Sequence, residues 1–180
     1  GIGMGVPGPV DFASAQLASD LRLPVRRWGG NATTRYNYLL DTSNRAMDWF
    51  FENIPNENSN PGALPVGSAS DKFVDQDRPT PASTRTIMTI PLIGWKPMAR
   101  QMDWGFSITK YGAQQDVDPW QSDAGNGVKT NGQNVTGNDP LDTSIAIGPT
   151  FVQAWIAHLI SRYGTAANGG VMFYNLDNEP

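Results

Sequence analysis

The sequence PTFVQAWIAHLISRYG, residues 149–164, is followed by GVMFYNL, residues 170–176, and this pair of segments decides the fold class. Pro149 suits the first position of a helix and Gly164 suits its C-cap. Apolar side chains recur every four residues along one face of the helix: Phe151, Trp155, Leu159 and Tyr163. The apolar run that follows predicts a strand, so the two segments form a helix-to-strand unit.

Strands and helices also alternate in the rest of the chain. The predicted strands are residues 1–8, 24–28 and 86–93, and the predicted helices are residues 12–21, 41–54 and 70–77. In the helix over 41–54, Asp41, Thr42 and Ser43 offer the caps. This order predicts an α/β fold with parallel strands, in either an open doubly wound sheet or part of an eight-stranded barrel.

Two segments carry no regular pattern. Residues 56–70 are rich in Asn, Pro, Gly and Ser, which is typical of a loop. Residues 96–140 have no long periodic segment, so we expect a long excursion with room for a hairpin.

Composition excludes several classes of function. The net charge is -4 with no run of Lys or Arg, which argues against nucleic-acid binding. No apolar run is long enough to span a bilayer, and no signal peptide opens the chain. There are no cysteines and one histidine, His158, so thiolate and multi-histidine metal sites are excluded. Six tryptophans suit carbohydrate stacking, although a tryptophan more often fills a core.

Polar and aromatic residues follow the apolar part of several predicted strands. Because the carboxyl ends of parallel strands meet at one edge, the pattern predicts that these residues share a region. They are Arg27, Trp28, Asn31, Trp95, Asn178 and Glu179.

Only three glutamates occur, Glu52, Glu57 and Glu179. We expect Glu52 on the exposed face of a helix and Glu57 in a polar loop, both solvated. Glu179 follows an apolar strand, where partial desolvation would raise its pKa and suit it to donate a proton. The alternative is a strand-end carboxylate that caps the next helix or pairs with an arginine.

Several segments, in order, resemble glycoside hydrolase family 44. They are residues 27–38 (RWGGNATTRYNY), 48–54 (DWFFENI), 89–95 (TIPLIGW), 123–128 (DAGNGV), 136–140 (TGNDP), 158–166, 173–174 and 176–180 (LDNEP). The resemblance extends from about Leu21 to the last residue. Ordered agreement over so many segments is more specific than Asn-Glu-Pro alone.

The resemblance implies a secreted, retaining endo-β-1,4-glucanase or xyloglucanase. The family fold is a TIM-like barrel joined to a β-sandwich. Residues 1–180 would then be a single partial catalytic domain, parallel βα units that form about the first half of a (β/α)8 barrel and end at strand four.

The resemblance also assigns roles to residues. Glu179 would be the general acid/base, and Asn178 would hydrogen-bond the sugar 2-hydroxyl. Arg27, Trp28, Asn31 and Trp95 would bind substrate by their position at strand ends. Retention needs a second carboxylate about 5–5.5 Å from the first. No residue of this chain matches the family's nucleophile, so we expect the isolated chain to be inactive.

No cofactor is required by this chemistry, but family members can carry a structural calcium. Asp116, Asp118 and Asp123 could supply oxygen ligands. The alternative interpretation of this acidic run is an exposed polar loop.

Other functions remain open from the sequence. Gly3, Gly5 and Gly8 satisfy the dinucleotide-binding pattern G-x-G-x-x-G, although Pro7 interrupts the place where the helix should begin. A glycan-binding fragment without catalysis is a further alternative. Open edges of half a barrel would also favour self-association.

Overall fold

The computed structural model describes residues 2–5, 20–21, 23–78 and 84–178. Its strands and helices, in chain order, are β1 Ile2–Gly5, β2 Val25–Gly29, β3 Thr42–Asn44, β4 Glu52–Pro55, α1 Ala69–Asp77, β5 Arg85–Ile90, β6 Trp95–Pro97, β7 Asp103–Trp104, α2 Ile108–Tyr111, β8 Ser144–Ala146, α3 Pro149–Tyr163 and β9 Phe173–Leu176. None of the helices in these ranges is long and apolar enough to cross a membrane.

A four-stranded sheet is the centre of the fold, with the strand order β1-β2-β5-β9. All three pairings are parallel, for example Ile87 opposite Phe173. The predicted α/β class with parallel strands is therefore confirmed, as are the strands β2, β5 and β9 and the helices α1 and α3. Most of the predicted helix over 12–21 lies outside the described residues.

The main core contains aromatic side chains from β2, α1 and α3. Trp28 is fully buried, with its ring centroid 5.2 Å from that of Tyr36 and 5.7 Å from that of Phe73 in edge-on contacts. Trp155 and Leu159 of α3 belong to the same cluster, as the four-residue spacing predicted. Each of these large rings buries a wide apolar surface and so stabilises this layer.

The prediction that Trp28 lines a cleft is wrong. Side chains alternate between the two faces of a strand. Arg26 of β2 forms a buried ion pair with Asp77 of α1 at 2.7 Å, and Trp28 points to the same, helix-covered face. Arg27, between them, reaches the opposite face, so only one of the two predicted residues of β2 is available to a ligand.

The predicted helix over 41–54 is also wrong. Residues 42–44 and 52–55 form β3 and β4, which pair antiparallel, and a short 3-10 turn spans Ala46–Trp49. Phe50 and Phe51 have φ angles of 45° and 53°, in the left-handed region that ends a helix. Glu52 therefore lies on a strand and is fully buried, not on an exposed helix face.

The predicted excursion over 96–140 consists of short antiparallel pairings and loops. β7 joins β3 and β4 in a three-stranded sheet, and β6 pairs with β8 so that Trp95 lies opposite Ala146. Isolated bridges, such as that between Val117 and Gly125, connect the rest. This part of the chain follows β5, at the same end of the parallel sheet as the candidate site.

Candidate active site

Three of the predicted site residues meet at the carboxyl end of the parallel sheet. Arg27 Nη1 donates to Asn178 Oδ1 at 3.1 Å, and Asn178 Nδ2 donates to Asn31 Oδ1 at 3.1 Å. The backbone N–H of Gly30 also donates to Asn178 Oδ1, at 3.0 Å. Residues 151 positions apart in the chain are thus joined through one amide side chain.

The glycine pair after β2 makes this arrangement possible. Gly30 has a φ of 108°, which residues with a side chain rarely adopt. A Cβ atom on Gly29 would lie 2.8 Å from Cζ of Arg27, which is too close for any real contact. The two glycines therefore turn the chain and leave space for the Arg27 guanidinium.

Asp177 fixes the end of β9. Its backbone adopts a φ of 61°, a conformation that Asp tolerates better than most residues. Its Oδ2 accepts from the Leu92 N–H at 3.1 Å and its Oδ1 from the Asn178 N–H at 2.7 Å. These bonds tie the turn after β9 to the turn after β5. Glu179 comes two residues later and lies outside the described residues.

The amide of Asn178 has little unused hydrogen-bonding capacity. Oδ1 accepts two hydrogen bonds, one from Arg27 and one from the Gly30 N–H, which fills its acceptor capacity. One of the two Nδ2–H groups donates to Asn31. One Nδ2 proton remains. The side chain is therefore held in one orientation and can still donate a single hydrogen bond.

Two adjoining cavities extend from this network. The smaller, of about 240 Å³, is lined by Asn31, Arg35 and Ile93 among others. The larger, of about 370 Å³, shares Arg35 and Ile93 with it and includes Trp95. Trp95 is half-buried on β6, so it lines a cavity near the network without contacting Asn178 in any described bond.

Burial lowers the pKa of Arg35, the charged residue common to both cavities. A guanidinium remains charged at any ordinary pH, so Arg35 gives these cavities a fixed positive charge. The strand-end pattern did not point to Arg35, because Arg35 lies in an irregular loop within the family-like segment 27–38 and not at a strand end.

The three aspartates predicted as calcium ligands do not come together. Asp123 accepts from Ser107 Oγ at 2.7 Å and from Trp104 Nε1 at 2.9 Å, while Asp118 accepts from the backbone of Trp120 at 2.6 Å. Across residues 2–5, 20–21, 23–78 and 84–178, no group of three acidic or histidine side chains could hold a metal ion.

Glu52 is the functional candidate that the sequence did not indicate. It is fully buried, and neither carboxyl oxygen has a hydrogen-bond partner within hydrogen-bonding geometry. Burial, and after it the neighbouring Asp118, raises the pKa of Glu52 to about 7. The helical spacing of apolar residues in 41–54 did not indicate this burial, because a helix there would place Glu52 on its solvent-exposed side.

Comparisons with known proteins identify the family of the chain. A model of glycoside hydrolase family 44 matches residues 42–180, and the chain therefore belongs to glycoside hydrolase family 44. No curated protein sequence matches it. The resemblance to glycoside hydrolase family 44 that the sequence indicated is therefore confirmed.

Solved structures show the same fold. CelM2, a bifunctional glucanase-xylanase from a metagenome library, is 42% identical with a TM-score of 0.84 over 99% of this chain and 33% of its own. A Paenibacillus polymyxa xyloglucanase of family 44 is 22% identical with a TM-score of 0.57, over 91% of this chain and 30% of its own. The chain spans about a third of the length of these relatives.

Proposed function

We propose that this chain carries the acid/base half of the active site of a retaining β-1,4-glucan hydrolase, with Glu179 as the general acid/base. The observation that carries the proposal is the network of Arg27, Asn31 and Asn178 at the carboxyl end of the sheet, directly before Glu179. Active sites of barrel enzymes lie at this end of their strands.

The strand order supports a partial barrel with β9 as its fourth strand. Each strand of the sheet lies beside the one before it in the order β1-β2-β5-β9. In a doubly wound sheet the spatial order of the strands reverses at a switch point. In a barrel each strand lies beside the strand that precedes it in the chain. The dinucleotide-binding alternative has less support, since Gly3 and Gly5 lie within β1 and not in a turn after it.

In the proposed mechanism, Glu179 first protonates the glycosidic oxygen and later deprotonates the water that releases the enzyme-bound sugar. The remaining Nδ2–H group of Asn178 donates a hydrogen bond to the sugar 2-hydroxyl, and this hydrogen bond strengthens in the transition state. Arg27 and Asn31 hold the Asn178 amide in the orientation that this bond requires.

The second carboxylate of the retaining mechanism is not supplied by the other glutamates. Glu52 is buried on β4, and Glu57 is exposed in the loop before α1. We therefore expect the 180-residue polypeptide to bind a glucan chain without hydrolysing it, in an extracellular setting. A β-1,4-glucan or xyloglucan is the proposed substrate class, because the similar structures are those of glucanases and a xyloglucanase.

For a structural calcium we propose Glu52 and Asp118 as ligands in place of the three predicted aspartates. The Glu52 carboxyl is buried beside the Asp118 carboxylate, and carboxylate oxygens are the hard donors that calcium prefers. Thermal unfolding with calcium and with EDTA tests this. We expect calcium to raise the Tm of the wild type and not of Glu52→Gln; an equal rise in both would contradict the assignment.

Self-association through the sheet edges is part of the proposal. Phe173 and Leu176 of the edge strand β9 are 52% and 61% exposed. Apolar side chains on an open edge favour pairing with a second copy. Light scattering should give a mass above that of one chain, and Leu176→Lys should lower it.

The binding claim is tested by electrophoresis through gels that contain soluble xyloglucan. We expect the wild type to be retarded and Asn178→Ala to migrate close to its rate in a gel without glucan. Asn131→Ala, which removes an exposed amide of the excursion, is the matched control and should be retarded like the wild type. Equal retardation of Asn178→Ala and the wild type would contradict the proposed site.

A further inference from the structure

Trp49 and Trp120 form an exposed aromatic pair away from the core. Their ring centroids are 5.5 Å apart with planes inclined by 28°, which is a stacked arrangement. Trp120 is 75% exposed. Since Trp49 covers one face of the Trp120 ring, the opposite face is turned to solvent, where it is free to stack on a flat ligand.

The pair is held rigidly by groups behind it. Buried Asp118 accepts from the backbone N–H groups of Trp120 at 2.6 Å and Gln121 at 3.1 Å. Phe50 packs edge-on against Trp49, with centroids 5.4 Å apart. The loop thus fixes Trp120 in place without covering its outer face, so a ligand would not have to order it.

A line of hydrogen bonds connects the pair to the candidate active site. Asp48, the neighbour of Trp49, accepts from Asn31 Nδ2 at 3.0 and 3.1 Å, and Asn31 accepts from Asn178. An open groove of about 420 Å³, lined by Ala32, Arg45, Asp48, Trp49 and Ile54, runs beside this line. Trp49 and Asp48 thus share one groove, and Asp48 is hydrogen-bonded to Asn31 of the candidate active site.

We propose that Trp120, stacked on Trp49, is a distal subsite that binds one pyranose ring of a β-1,4-linked glucan chain. The inference rests on the function proposed above and adds a second contact for the same substrate. The C–H groups on the face of a β-glucosyl ring match a flat aromatic surface, while Asp48 and Arg45 beside the tryptophans can hydrogen-bond its equatorial hydroxyls. The proposal requires a long glucan chain to span Asn178 and Trp120, so a disaccharide held at Asn178 should not depend on Trp120.

Calorimetric titration with cellohexaose and cellobiose tests the subsite. We expect Trp120→Ala to weaken cellohexaose binding about tenfold and to leave cellobiose binding unchanged. Trp120→Phe, which keeps a flat ring, should retain most of the affinity. Val66→Ala removes exposed apolar surface elsewhere and should have no effect on either sugar.

The outcomes separate this inference from the function on which it rests. Unchanged cellohexaose affinity in Trp120→Ala overturns the subsite alone. An equal loss for both sugars also overturns it, because it indicates a general structural effect of the substitution. If the wild type binds neither sugar, the subsite and the proposed function both fail.

Discussion

The parallel layer and the antiparallel part of this chain are stabilised by different interactions. The layer of β2, β5, β9, α1 and α3 buries large apolar side chains, among them Trp28, Phe73 and Trp155. The part that contains β3, β4 and β6 buries amides: Asn37, Asn44 and Asn53 are each no more than 1% exposed. Apolar packing therefore holds the framework of the site, and specific hydrogen bonds shape the loops that surround it.

Two of these amides donate to backbone carbonyls of distant segments. Asn37 Nδ2 donates to the carbonyl of Pro97 at 2.8 Å, and Asn53 Nδ2 donates to that of Thr143 at 2.6 Å. Irregular loops need such partners, because they lack the regular ladders that satisfy backbone groups in a helix or sheet.

The largest effect is expected in the parallel layer. Trp28→Ala removes a fully buried ring that contacts Tyr36 and Phe73, and should lower the free energy of unfolding by about 3–5 kcal/mol. Trp120→Ala, at an exposed tryptophan, should change it by less than about 0.5 kcal/mol. Urea denaturation measures both. Similar losses in the two variants would show that aromatic burial does not distinguish these regions.

A smaller effect is expected in the antiparallel part. Asn53→Ala removes one buried hydrogen bond to the Thr143 carbonyl and one from the Asn44 amide, and should cost about 1–3 kcal/mol. The exposed amide of Asn131 provides the control, since Asn131→Ala should be close to neutral. A neutral Asn53→Ala in the same denaturation series would mean that the buried amides do not stabilise this part.

The smallest expected effect is a loss of stability at acid pH caused by Asp123, in the excursion over residues 96–140. Although burial opposes it, hydrogen bonds from Ser107, Thr109 and Trp104 lower the pKa of Asp123 to about 2. A carboxyl group whose pKa is lower in the folded state stabilises the protein above its unfolded pKa, and this contribution is lost as the pH falls. For partly exposed Asp123 we expect about 1 kcal/mol to be lost between pH 5 and 2.

The variant Asp123→Asn isolates this contribution. Its stability should fall less steeply than that of the wild type over the same pH range, measured by urea denaturation at each pH. Parallel pH profiles for the two proteins would exclude a role for Asp123 in acid sensitivity.

The same contrast explains how far the sequence could predict the structure. Apolar periodicity identified β2, β5, α3 and β9, because these elements are buried by apolar packing. It also led to the region that Arg27, Asn31 and Asn178 share, since parallel strands end at one edge. The prediction was wrong for Trp28, because the sequence of β2 alone does not show which face of the strand the helices cover.

Prediction failed more completely in the antiparallel part. Residues 41–54 have the apolar spacing of a helix, but left-handed Phe50 and Phe51 and the bond between Asn44 and Asn53 produce two strands. The burial of Glu52 and its position beside Asp118 depend on that pairing. Long-range hydrogen bonds of this kind leave no periodic pattern in a sequence, so tertiary contacts decide the structure there.

Assays of xyloglucan hydrolysis, by the release of reducing ends, test the central claim most directly. The wild type and Glu179→Gln are compared at concentrations where the wild type is retarded in the xyloglucan gel. The account predicts that both bind the polysaccharide and that neither releases reducing ends above background, because Glu179 alone cannot complete a retaining mechanism. Hydrolysis by the wild type that is abolished in Glu179→Gln would contradict it, since these 180 residues would then contain both carboxylates.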